Sequence, residues 1–183
     1  MKVRQNLRTA TEKNLDYLFS KNMVNVSRRA LIDDEVKTLV AFVHLPKIGG
    51  KGINSGGKLS LHHTLIHAVK NEELPDQVAA EHKPYNSPWI MHQRFGQKTT
   101  LLLMYRDIII SKVETPADGI LALMGIHYAA MAPYSVPLNG AFLYIQSAVL
   151  EDMIHTKDKP ILRKMVKEID SVVKSGTIQD VLV

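Results

Sequence analysis

The sequence predicts an α+β fold, a single domain with a mixed or antiparallel sheet packed with about four helices. Three observations predict it. Residues 36–45 and 99–111 concentrate Leu, Val, Ile and Phe in β-favouring runs. Residues 7–19, 117–131 and 160–175 repeat apolar side chains at the helical period. The composition, 45% apolar and 22% charged over 183 residues, suits a chain that buries one core.

Taken in order, residues 7–19 read as a short helix with Leu7, Leu15, Leu18 and Phe19 on one face. Residues 36–45 read as the first strand, built on Leu39, Val40, Phe42 and Val43 and stopped by Pro46. Residues 47–58 hold five glycines and read as a loop. Residues 59–74 then read as a helix, capped by Ser60, with Leu61, Leu65, Ala68 and Val69 inward and Pro75 past its end. Residues 75–96 form a long polar connection carrying Pro84, Pro88 and the sole tryptophan, Trp89. A structureless stretch of that length is uncommon in a compact domain, so it is expected to be functional or to hide a short element.

Residues 99–111 are nearly continuous in apolar character and predict a central strand covered on both faces. A helix over 117–131 follows Thr115 and Pro116, with Ile120, Leu123, Met124, His127, Ala130 and Met131 in period. Pro133 and Pro137 break the chain, and residues 141–150 read as a strand, with a helix as the alternative. The closing helix starts near Asp158 and Pro160. It turns Ile161, Leu162, Met165, Val166, Ile169, Val172 and Val173 to one side and is expected to end at Gly176. This organisation gives a basic N-terminal arm with a short helix over 1–30 and a globular α+β domain over 31–183.

Charge narrows the functional classes. The net charge is +5, and residues 1–29 supply all of it: Lys2, Arg4, Arg8, Lys13, Lys21, Arg28 and Arg29 face only Glu12 and Asp16. A basic end favours anionic lipid or nucleic acid. The absence of cysteine excludes disulfides, thiolate metal sites and thiol nucleophiles. The first ten residues lack an apolar core of the secretory kind. The most apolar run, 120–136, contains His127 and two prolines, so no membrane-spanning helix is expected. An intracellular protein, cytoplasmic or membrane-peripheral, is the expectation.

Several constellations touch on chemistry. Gly52, Gly56, Gly57 and Lys58 fit the spacing G-x-x-x-x-G-K and resemble the phosphate loop of nucleoside triphosphatases over seven residues. Leu59 stands where a magnesium-binding Ser or Thr belongs. The preceding strand ends near Leu45, too far upstream for that motif. A flexible basic loop with Lys47, Lys51 and Lys58 is the simpler reading. His63 and His67, with His62 beside them, would share a helix face at i and i+4 and could grip a metal, but Thr64 replaces the glutamate of the zinc-protease pattern. A helix surface with solvated histidines is favoured, so neither metal nor cofactor is expected. There is no G-x-S-x-G nucleophile elbow, no residue is assigned a catalytic role, and Asp33, Asp34 and Glu35 read as a turn. Residues 82–95 mix basic and aromatic side chains, which suits base stacking or a membrane interface; a loop pinned by Trp89 and Phe95 is preferred.

The order of these elements resembles that of rhabdovirus matrix proteins. It runs as a basic arm over 1–29, a strand over 37–45, a loop over 47–58 and a helix over 59–74. A late strand follows Pro137, Leu138, Asn139 and Gly140, and a helix closes the chain. The resemblance implies a non-enzymatic, self-associating virion protein lying between nucleocapsid and membrane. Its expected contacts to anionic membrane or nucleic acid are Lys2, Arg4, Arg8, Arg28, Arg29, Lys47, Lys51 and Lys58. The alternatives are a nucleic-acid-binding protein, and a nucleotide- or metal-dependent enzyme using residues 52–58 or His63 and His67.

Overall fold

The computed structural model describes residues 2–48, 64–84, 86–95, 98–131, 134–153 and 158–179. The fold is α+β: a four-stranded mixed sheet and six α-helices among the described residues, two helices more than expected. The chain divides into two units. One, residues 1–52 and 140–183, is helical; the other, residues 53–139, contains the sheet.

In the helical unit, α1 (Lys2–Ser20) is longer than expected and is no free arm. It packs against α2 (Asp34–His44) and α6 (Pro160–Gln179). Leu7, Thr11, Asn14 and Leu18 recur every three or four residues and are buried, with Ala10 and Leu15 beside them. Helix α2 replaces the strand expected over 36–45. Its start explains why: the Asp33 carboxylate accepts from the backbone N–H of Glu35 at 2.6 Å and of Val36 at 3.3 Å. Asp34 and Glu35 then place negative charge at the positive end of the helix. Thr38, Ala41, Phe42 and Leu45 are buried at helical spacing. Leu39, Val40, Phe42 and Val43 suggested a strand, but burial against α1 outweighs a propensity difference of well under about 1 kcal/mol per residue.

Helix α5 (Asn139–Ala148) replaces the strand expected over 141–150. Six consecutive residues, Ala141 to Gln146, are buried. A helix buried all round shows no apolar stripe, so its period was not visible. On α6, Leu162, Met165 and Ile169 face inward as expected, and the helix continues through Gly176. Polar ties join these helices. The Asn6 amide donates to Val149 O at 3.1 Å, Lys13 pairs with Asp170 at 2.9 Å, and the Tyr17 hydroxyl donates to Glu168 at 3.2 Å. Burial first, and then the charge of Asp170, hold the Tyr144 phenol well above its ordinary value.

In the sheet unit the strands are β1 (Ile66–Ala68), β2 (Pro88–Phe95), β3 (Lys98–Tyr105) and β4 (Ile108–Val113), adjacent in that order. β1 is parallel to β2; the other pairs are antiparallel. The helix expected over 59–74 is not found in its described part, where β1 and a turn stand instead. Leu65 and Ile66 are buried there, and Ile90 N donates to Leu65 O at 2.9 Å, a partner remote in sequence. The polar connection 75–96 hides α3 (Pro75–His82) and β2. Pro75 begins a helix rather than following one. The single strand expected over 99–111 is a hairpin, because Arg106 adopts a left-handed φ of 55° and turns the chain at Arg106 and Asp107.

Helix α4 (Pro116–Ala129) covers one sheet face, starting at Thr115, whose hydroxyl accepts from Asp118 N at 3.1 Å. A Cβ at Gly119 would lie 3.0 Å from Ile90 Cδ1 and 3.4 Å from Val113 Cγ2, so glycine allows this close seating. Val78 of α3 joins Trp89, Met91 and Met104 in a core cluster with Val69, Ala79 and Leu102.

Candidate interaction surfaces

The basic residues of the N-terminal segment lie on the helical unit, most of them beside acids. Lys2 pairs with Glu151 at 2.5 Å, Arg8 with Asp34 at 3.9 Å, and Arg28 with Asp16. Lys37 reaches Glu12 at 3.3 Å and Asp34 at 3.4 Å. A groove of about 430 Å³ along α1 and α2 is lined by Arg8, Glu12, Lys13, Asp16, Asp34 and Lys37, so both signs of charge meet there. Three cations matched by three carboxylates give an anion little advantage in that groove. Arg4 and Arg29 are exposed.

The segment between α1 and α2 differs from the groove. It exposes Val26 at 43% and Ile32 at 86% on either side of the exposed Arg28 and Arg29. Two exposed apolar side chains thus flank a pair of exposed arginines. The sequence reading named the arginines but passed over Val26 and Ile32, since isolated apolar residues in a polar stretch carry no period.

Lys47 is exposed at the end of a short 3-10 turn (Leu45–Lys47), with its ammonium 2.9 Å from His44 Nδ1. Burial and then Lys47 push the His44 imidazole below its usual value. Lys51, Lys58 and the proposed phosphate loop Gly52, Gly56, Gly57 and Lys58 lie outside the described residues, as do His62 and His63.

His67 sits on β1, a strand, so it is not on a helix face as expected. Its ring is buried, with Nδ1 3.2 Å from His82 Nε2 and Nε2 3.4 Å from Glu73 Oε2. A carboxylate only accepts, so His67 presents Nε2–H to Glu73, and between His67 Nδ1 and His82 Nε2 one ring nitrogen donates and the other accepts. The Glu73 carboxyl is held below its ordinary range chiefly by the backbone N–H of Lys70, 3.0 Å away. His82 stacks on Trp89 with ring centroids 3.8 Å apart and planes at 14°. This chain of rings links β1, α3 and β2 through the core. Fifteen residues separate the two histidines on different elements, so no local spacing announces the pair. Among the described residues, no group of three His, Cys, Asp or Glu gathers around a metal-sized space.

Trp89 is buried on β2, where its Nε1–H donates to Arg106 O at 2.8 Å and fastens the hairpin turn. It is therefore a core residue, as expected, though it stands on a strand and not on the loop expected over residues 82–95, and it offers no face to a base or lipid. Among the described residues, no helix is long and apolar enough to cross a membrane. Neither protein-family models, curated proteins nor solved structures give a match to the chain.

Proposed function

We propose that the chain is a non-enzymatic, matrix-like assembly protein that docks on an anionic membrane through its helical unit and associates with copies of itself. The observation that carries this reading is the partition of charge. Residues 1–52 and 140–183 hold 16 Lys and Arg against 11 Asp and Glu, a net of +5; residues 53–139 hold 7 against 7. The whole excess thus falls on the unit that also exposes Val26 and Ile32 beside Arg28 and Arg29. Each cation near an anionic bilayer contributes on the order of 1 kcal/mol, and salt shortens its reach to about 10 Å or less. Ion pairs within the helical unit temper individual cations but leave the net field.

Flotation of the full chain with anionic and neutral liposomes tests the reading. The expected result is binding to anionic vesicles alone, released by high salt and weakened by R28E/R29E and by glutamate at Lys47 and Lys51. Failure to bind at low salt overturns the membrane role. Salt-sensitive binding to RNA by a chain that ignores lipid moves the function to nucleic acid.

A further inference from the structure

We infer that the outward ridge of α6 binds the phosphate backbone of a nucleic acid without reading its sequence. The charges of α6 are Arg163, Lys164, Lys167 and Lys174 against Glu168 and Asp170. Both acids are drawn to α1. Asp170 pairs with Lys13 at 2.9 Å, and Glu168 accepts from the Tyr17 hydroxyl at 3.2 Å. Lys2 of α1 likewise takes up Glu151 at 2.5 Å. Cations of the N-terminal segment thus neutralise acids of the C-terminal one and leave the cations of α6 unmatched. Arg163 and Lys167 meet no carboxylate among the described residues, and Lys164 reaches Glu168 only at 3.9 Å. Lys159, equally without a carboxylate partner there, opens the helix, its carbonyl accepting from Arg163 N at 3.1 Å. All four side chains are exposed.

The spacing suits a chain of phosphates. Arg163 and Lys167 stand four residues apart on one face, about 6 Å from one to the next along the axis, with Lys159 a turn further back and Lys164 beside them. Neighbouring phosphates of a strand follow one another at a similar separation. Arg163 adds a planar fork matched to phosphate oxygens. A bilayer fits the ridge less well, because a helix lying in a bilayer interface buries its apolar face there. That face of α6 is committed to the protein core: Leu162, Met165 and Ile169 are buried, and Ile161, 38% exposed, is seated against Gly140. Residues 158–179 contain no aromatic side chain on which a base could stack, so recognition rests on phosphate alone.

This binding goes beyond the membrane role and is measured without lipid, so either can fail alone. The probe is a fluorescein-labelled single-stranded RNA, made in two unrelated sequences and titrated by anisotropy with the full chain. Both sequences should bind alike, with log affinity falling linearly as log salt rises. R163Q/K164Q/K167Q keeps good helix formers at exposed positions, and far-ultraviolet circular dichroism checks that it folds. It should bind RNA about tenfold or more weakly, and its salt slope should shrink by about 2, from about 0.7 per lost phosphate contact. R28E/R29E removes more charge from another element and should change RNA affinity less. No RNA binding at low salt overturns the proposal, as does an affinity that the α6 variant leaves unchanged. Equal losses in the two variants trace the effect to net charge and overturn the ridge as the site. Lost vesicle flotation in the α6 variant, with RNA binding untouched, gives the ridge to the membrane and overturns it equally.

Discussion

Asn14 is fully buried on α1, and neither its amide nitrogen nor its oxygen meets a hydrogen-bond partner among the described residues. An unpaired buried amide costs about 1–3 kcal/mol, so Asn14→Leu, of the same branched shape though larger, is expected to raise stability by up to that order. A urea-melt midpoint below that of the natural chain would refute this. His44 and His92 give the molecule a pH dependence of known sign. Burial, with Lys47 and Arg94 as the second causes, lowers both imidazoles from the ordinary 6.5. The native state therefore prefers them neutral. Their contribution is complete above the unfolded value and is lost as pH falls through it toward the lowered native values. The urea midpoint should drop from roughly pH 7.5 to roughly pH 5.5, and His92→Gln should flatten the drop. The carboxylates Glu73 and Asp107 are shifted downward as well, so their stabilisation fades only in a lower, acidic window.

At the scale of elements, α2 shows how a few contacts settle a choice that composition leaves open. Asp33→Ala removes both carboxylate bonds to the first turn and should cost about 1 kcal/mol, within a range of roughly 0.5–2. A strand at this position would be indifferent to the change, so thermal melts of the variant check both the cap and the element type. The amphipathic helices α1 and α6 were legible because each keeps one wet face, and α4 from the Thr115–Pro116 start and the period of Ile120, Leu123, Met124 and His127. α5 was not, since a core helix and a core strand share the same unbroken apolar run. β1 was not legible because three residues make a strand only through a partner some 24 positions away, Ile66 against Ile90. The β3–β4 hairpin was missed because Arg106 and Asp107 lack the glycine or asparagine that usually marks a left-handed turn. Trp89 and Asn86 compensate: the first donates its indole N–H to the turn's carbonyl, and the second accepts from Arg106 Nε at 2.6 Å.

At the scale of the whole molecule, the α+β class survives although two strands became helices, one helix became a strand and one strand split in two. Class depends on the totals of apolar surface and turn residues, which composition reports well. The positions of elements depend on pairings that it does not report. The same contrast governs exposure. Arg28 and Arg29 were visible as charge, whereas Ile108, Ile109 and Ile110 looked like a buried core until the sheet order placed them on its rim.

Trp89, seated in the sheet unit and pressed against His82, is the molecule's only indole. The helical unit, by contrast, holds α1, α2 and α6 and nearly all of α5. Indole fluorescence, excited beyond the tyrosine absorption band, is consequently a private signal of the sheet unit, while circular dichroism near 222 nm is dominated by the helical one. Recorded together through one denaturant titration, the two optical signals coincide if the units unfold cooperatively and separate if each melts alone.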